Sequence, residues 1–246
     1  QTGNKLAEQL ASGKKVNSAA DDAAALQIID RLTSQQDGYS QAINNAYDGI
    51  SYSQVTESNL SGVNDAVSRI RELSIQAGNG ALTDSDRAAL QEEVSQLQTQ
   101  ISETFENATF GGKPLFDGEQ VSFQVGPDAN TTQSVTPSDG SIASVIAGID
   151  ISTQAGAQAA IDISDQAAEE INTQRAELGA FQNTLTSTIK GLGNQRENIA
   201  ASQSRIEDTD YAKAVSDQVA NDILSQASVA LRGQANRSAE SILGLL

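Results

Sequence analysis

Between residues 157 and 207 the chain has no proline, and Ile171, Leu178, Leu185, Leu192, Ile199 and Ile206 recur at intervals of seven. An apolar side chain at every seventh position marks the seam of helices packed along their length. A strand cannot keep that period, because its side chains alternate faces with period two. The segment therefore predicts a helix of some fifty residues, ~75 Å long at 1.5 Å per residue. Its second seam position is half filled. Phe181 and Ile189 are apolar there, whereas Gln195, Arg196, Ser202 and Gln203 are polar. A half-empty seam suits a helix that needs several partners. Gly179, Gly191 and Gly193 each weaken it by roughly 1 kcal/mol relative to Ala.

Two further seams supply partners. Ile29, Leu32, Gln36, Tyr39, Ile43, Ala46 and Ile50 alternate steps of three and four, and a drifted stripe continues through Leu60, Val63, Val67, Ile70 and Ala77. Gly78-Asn79-Gly80 reads as the left-handed C-cap of that helix. Thr83-Asp84-Ser85-Asp86 reads as the cap of the next, whose stripe is Leu90, Val94, Leu97, Ile101 and Phe105. Helices joined by so short a loop pack antiparallel. A first helical fragment, Leu6 to Leu10, ends at Ser12-Gly13-Lys14-Lys15. Ser18 and Asp21 resemble a capping box for the helix after it. Asp208 or Thr209 is expected to cap a last helix carrying Val215, Val219, Ile223, Ala227 and Ala230.

All three prolines, Pro114, Pro127 and Pro137, fall in the middle of the chain. There Val121 to Val125 alternates as a strand, Gly126-Pro127-Asp128 is a turn, and Thr131 to Val135 is a weak partner strand. A polar linker is expected to follow. The fold class is mainly α: a long antiparallel helical bundle or coiled-coil rod with a small β-hairpin. Its core is expected at Ile29, Leu32, Ile43, Ile50, Leu90, Val94, Leu97, Ile101 and the six residues of the heptad seam. The apolar tail ending Leu245-Leu246, with Val215, Val219 and Ile223, has no partner within the chain, and such surface marks an interface.

Composition closes off most chemistry. The chain has no His, Cys or Met, which excludes Cys/His metal sites, Cys nucleophiles and His-based triads. The net charge is −17, the wrong sign for binding nucleic acid or an anionic membrane surface. The apolar runs are too short to span a bilayer. Asp21-Asp22, Glu92-Glu93 and Glu169-Glu170 are adjacent carboxylates, but neighbours on one helix point ~100° apart and do not face each other across a cleft. Asp208 and Asp210 lie in no calcium-loop pattern, and the glycine pairs match no phosphate-binding loop. No enzyme activity, metal or cofactor is expected.

Several segments together resemble the bacterial flagellins. They are Leu10 to Gly13, Val16 to Leu26, Asn45 to Ser51, Arg69 to Leu73, Asp86 to Glu93, Thr109 to Gly112, Ser204 to Ala212, Gln226-Ala227 and the Leu-Leu terminus, in that order. The resemblance covers nearly the whole chain outside about 112–156. It implies a structural subunit that self-assembles into the flagellar filament, leaves the cell through the flagellar type III channel without a cleaved signal, and works extracellularly in motility. It implies terminal D0-like helices at 1–12 and 211–246, connecting segments at 13–19 and 207–210, and a D1-like rod at 20–206. The hairpin and linker of that rod would lie at about 110–156, with no outer domains. Gln1 in place of Met suggests that residues preceding it, which would complete the first helix, have been removed. The partners implied are further copies of the chain, an export chaperone, and the cap and hook-associated proteins. A host Toll-like receptor is implied as well, at Arg69, Leu73, Gln76 and Glu93. The alternative reading is an extracellular coiled-coil adhesin or surface binding protein, which explains the acidity and heptads but not the ordered blocks.

Overall fold

The computed structural model describes the backbone of residues 2–243 and the side chains of residues 3–235. The elements are α1 (Thr2–Ser12), α2 (Ala23–Ala77), α3 (Asp84–Asn107), β1 (Thr109–Phe110), β2 (Lys113–Pro114), β3 (Val121–Gln124), β4 (Thr132–Val135), α4 (Ser141–Ala147), α5 (Gln154–Glu207) and α6 (Tyr211–Leu243). They form two compact units. The first joins the N-terminal segment up to Gly38 to the C-terminal segment from Gln195; the second is Tyr39–Asn194. No described helix is long and apolar enough to cross a membrane.

In the second unit α2 and α5 run antiparallel in a register that polar contacts document along its length. Gln154 donates to the Gly78 carbonyl, Arg71 pairs with Asp165, and Arg175 and Gln182 both reach Glu57. Between these contacts the heptad seam fills the interior: Ile171, Leu178 and Leu185 are buried beside Leu60, Val63, Val67, Ile70 and Leu73 of α2 and Val94 and Ile101 of α3. Gly49 marks the closest approach. A Cβ built there would lie 2.8 Å from Leu185 Cδ1 and 3.2 Å from the Phe123 ring, so only glycine lets α2, α5 and β3 meet at that level.

The turn from α2 to α3 departs from the expected left-handed cap. Neither Gly78 nor Gly80 adopts positive φ. The end of α2 is satisfied instead by the buried Arg87, whose Nε donates to the Ala77 carbonyl at 2.9 Å and whose Nη2 donates to the Asn79 carbonyl at 3.1 Å. A guanidinium supplies several donors in one plane, enough to satisfy both carbonyls. Thr83 caps α3 as expected, in a reciprocal capping box with Asp86.

The middle segment also differs from expectation. The hairpin is present, with Val121 paired to Val135 and Gln124 to Thr132. A second, smaller hairpin pairs Phe110 with Lys113 across Gly111-Gly112, at φ 59° and 86°, the left-handed pair that a two-residue type I′ turn requires. The expected linker contains α4. Its Ile142 and Ile146 are buried, as are Leu115, Phe116, Ile149 and Ile151 nearby. Gln98 on α3 donates to the carbonyls of Ile146 and Ile149, each at 2.8 Å, and Gln91 accepts from the Ile151 amide at 2.7 Å. Two glutamines thus satisfy backbone that a free linker would leave to water. All five Phe belong to this unit. Phe123 bridges Tyr52 at 5.8 Å and Phe181 at 6.0 Å between ring centroids, which fastens the hairpin to both long helices.

In the first unit, Ile29 of α2 is buried, with Leu32 half-buried; of the α5 seam positions that fall here, Ile199 and Ile206 are half-buried. Of the polar positions of the α5 seam, Gln203 finds a partner across the helices, donating to Thr33 Oγ1 at 3.2 Å. Helices α1 and α6 pack antiparallel. The segments leading out of α1 and into α6 pair at one antiparallel bridge, Lys14 opposite Asp208: the Lys15 amide donates to the Glu207 carbonyl and the Thr209 amide to the Gly13 carbonyl at 3.0 Å. Gly13, at φ 71°, ends α1. Both expected caps shift. Asp22, not Ser18, caps α2, accepting from the Ala24 and Ala25 amides. Asp21 is engaged elsewhere, by the Asn17 and Ser18 amides and Lys5. Asp210, not Asp208 or Thr209, caps α6 through the Lys213 amide.

Candidate interaction surfaces

Two exposed surfaces carry the residues singled out from the sequence. The first spans α2 and α3. Arg69 and Gln76 lie seven residues apart on the outer side of α2, and both are exposed. The Arg69 Nε donates to Glu93 on α3 at 2.8 Å, and Nη1 pairs with Glu72 at 2.6 Å. Hydrogen bonding to Glu72, then to Glu93, raises the pKa of the guanidinium above its ordinary value. Leu73 does not belong to this surface. It is 1% exposed and lies in the core, because the α2 residues facing α5 follow Val63, Val67, Ile70 and Leu73. A partner docking here meets Arg69, Gln76 and Glu93.

The second surface is α6. Its first turn is anchored: Ala214 is buried, and Lys5, Leu6 and Gln9 of α1 form a shallow cleft with Asp217, Ala220, Asn221 and Leu224. The eleven residues of α1 extend ~16 Å, whereas the thirty-three of α6 extend ~50 Å. Helix α6 consequently carries much uncovered apolar surface. Val215, Val219 and Ile223 are 39%, 51% and 61% exposed. Leu224, Val229 and Leu231 are more exposed still; Leu224 and Val229 sit off the four-residue spacing of the stripe read from the sequence, whereas Leu231 continues it from Ala227. Leu245 and Leu246 lie outside the described residues. The other residue missed from the sequence is Arg87. A basic side chain in the first turn of a helix opposes the macrodipole, and that misfit was the available signal of a partner elsewhere.

Residues 1–121 match the bacterial flagellin N-terminal helical region and residues 161–246 the bacterial flagellin C-terminal helical region. Flagellin FlaB2 of Treponema pallidum is 38% identical over 97% of this chain and 90% of its own length. The chain belongs to the bacterial flagellin family. A flagellin of Halalkalibacterium halodurans is 37% identical, covering 99% of this chain and 92% of the relative, and that of Bacillus subtilis is 36% identical, covering 97% and 91%. Among solved structures, Bacillus cereus flagellin superposes with a TM-score of 0.56 at 24% identity over 65% of this chain and 94% of the other, a likeness of fold. A putative flagellar hook-associated protein of Vibrio parahaemolyticus gives 0.65 at 16% identity, over 76% and 100%. This flagellin is a structural subunit of the bacterial flagellar filament and not an enzyme. The unmatched stretch, residues 122–160, contains β4, α4 and all but the first residue of β3; α4 packs on α3, and the hairpin packs on α2 and α5.

Proposed function

We propose that this flagellin polymerises with copies of itself through the apolar side chains of α6, in particular Val215, Val219 and Ile223, with Leu245 and Leu246 beyond the described residues. The observation that carries this reading is the row of large apolar side chains exposed along α6. Apolar surface on this scale is costly in water, and burying it contributes ~25 cal/mol per Å². On this reading 1–12 with 211–246 is the D0-like region, 13–19 with 207–210 connects it, and 20–206 is the D1-like region built on the heptad seam. The subunit works extracellularly, after export, and the chaperone, cap and hook-associated proteins are its further partners. Sedimentation and electron microscopy under polymerising salt test it. Wild type should form filaments, and Ile223→Asp should leave monomers whose melting temperature is unchanged. Filaments from Ile223→Asp as abundant as from wild type would contradict this role for α6.

A second reading rests on the Arg69–Glu93 pair. Arginine is enriched where partners bind tightly, and Arg69, Gln76 and Glu93 form one exposed polar surface across two helices. We infer that this surface is recognised by the flagellin-sensing Toll-like receptor of animal hosts. Reporter cells exposed to monomeric protein should respond less to Arg69→Ala and to Glu93→Ala than to wild type. Equal responses from all three, or none from wild type, dismiss it.

A further inference from the structure

We propose that Asn79 is a spontaneous deamidation site, and that Arg87 directs its product toward isoaspartate. Asn79-Gly80 is the only Asn-Gly pair in the chain. Both residues are exposed in the α2–α3 turn. The Gly80 amide makes no hydrogen bond among the described residues, so its nitrogen is free to act as a nucleophile. Glycine also lacks the Cβ that would crowd its approach. The electrophile is prepared as well: Asn79 Oδ1 accepts from the Ala81 amide at 3.1 Å, which draws electron density away from Cγ.

The Gly80 nitrogen bonds to Asn79 Cγ and gives up its proton to solvent. The Cγ–Nδ2 bond breaks, and ammonia leaves after taking a proton from water. The result is a five-membered succinimide. Water then opens the ring, so that the net change is water consumed and ammonia released, with no oxidation or reduction. Attack at Cγ yields aspartate. Attack at the former backbone carbonyl yields isoaspartate, in which the main chain passes through Cγ and the α-carboxylate is free.

The structure distinguishes these two carbonyls. The Asn79 backbone oxygen accepts from the Leu82 amide at 3.2 Å and from Arg87 Nη2 at 3.1 Å. Two donors make that carbon the more electrophilic of the pair. The carboxylate released there lies against the buried guanidinium, which stabilises it as a charge-assisted pair. Ring opening at the other carbonyl has no such partner.

Trypsin cleaves after Arg71 and Arg87, so the peptide Glu72–Arg87 reports the site directly. Folded protein and the synthetic peptide of the same span are incubated in mildly alkaline buffer and followed by mass spectrometry, with isoaspartyl methyltransferase labelling to identify the product. Wild type should convert, with a higher isoaspartate fraction than the peptide. Gly80→Ala should convert at least about tenfold more slowly. That variant folds without strain, since its Cβ would meet nothing nearer than Gln154 Nε2 at 3.7 Å and its φ is ordinary. A peptide that converts while the folded chain does not, or equal rates for wild type and Gly80→Ala, would overturn the site. An isoaspartate fraction no higher than that of the peptide would overturn the role of Arg87.

Discussion

The same substitution should have opposite signs at two glycines of the long helices. At Gly49 an added methyl meets Leu185 and Phe123 inside the core. Overpacking costs about 1–3 kcal/mol, against a helix-propensity gain of about 1 kcal/mol, so Gly49→Ala should lower the melting temperature. At Gly179 a Cβ meets nothing within 4 Å, and Gly179→Ala should raise stability by about 0.5–1 kcal/mol. Parallel thermal melts of the two variants check both. Leu185, which is fully buried, should lose about 2–5 kcal/mol on truncation to Ala; a melt like that of wild type would remove it from the core. The apolar identity of Leu185 was legible from its heptad spacing. The demand for glycine at position 49 was not, because it arises from side chains on β3 and α5 that are remote in the chain.

At the scale of elements, helix ends were the least legible feature. Ser18 and Asp21 have the spacing of a capping box, but Lys5 and two backbone amides claim the Asp21 carboxylate, and the helix starts at Ala23 behind Asp22. Hydrogen bonding from Lys5 is the largest cause that lowers the Asp21 pKa from 3.8 to about 2. A carboxylate depressed in the folded state contributes stability above its unfolded value, and the contribution is lost as pH falls through the folded one. The turn between α1 and α2 should therefore loosen between about pH 4 and pH 2. Amide exchange at Asn17 and Ser18 across that range should show it, and Asp21→Asn should abolish the pH dependence of those two amides. The buried Arg87 presents a different case. Arg87→Ala leaves the Ala77 carbonyl without its side-chain donor and the Asn79 carbonyl with the Leu82 amide alone, at a cost of about 1–3 kcal/mol, whereas Thr83→Ala removes a cap worth about 1 kcal/mol. Urea titration should rank the two in that order.

At the scale of the whole molecule, protection should be uneven. The second unit has a continuous apolar core joining α2, α3, α4 and α5. Among the described residues helix α6 has the short α1 beside it, and most of its large side chains face solvent. Short helices without tertiary packing are marginal in water. Hydrogen exchange on the monomer should be slowest at Leu60 to Leu73 and Ile171 to Leu185, and fast from Ser225 to Ala235. Polymerisation should then slow exchange in α6 far more than in the core of the second unit. Equal protection of α6 in monomer and polymer would separate α6 from assembly.

The periods of three, four and seven were enough to establish long antiparallel helices and the hairpin at Val121 to Val135; of the core residues read from them, Ile29, Val94, Ile101, Ile171, Leu178, Leu185 and Leu192 are buried, and Leu32, Ile43, Ile50, Leu90, Leu97, Ile199 and Ile206 are half-buried. Those features depend on local spacing, which a linear reading preserves. The ordered blocks likewise established the family. Tertiary structure decided what spacing cannot carry. The segment after the hairpin is polar on average, yet Ile142, Ile146, Ile149 and Ile151 are buried because α3 offers both an apolar face and two glutamines for their backbone. Leu73 has the same spacing from Arg69 as a surface neighbour would have, and only the packing of α2 on α5 assigns it to the interior. Arg87 replaces a glycine cap because a buried guanidinium reaches two carbonyls that lie eight and ten residues earlier in the chain. In each case the deciding partner lies beyond the three- and four-residue spacing that a local reading uses, so its free energy appears only when the chain has folded.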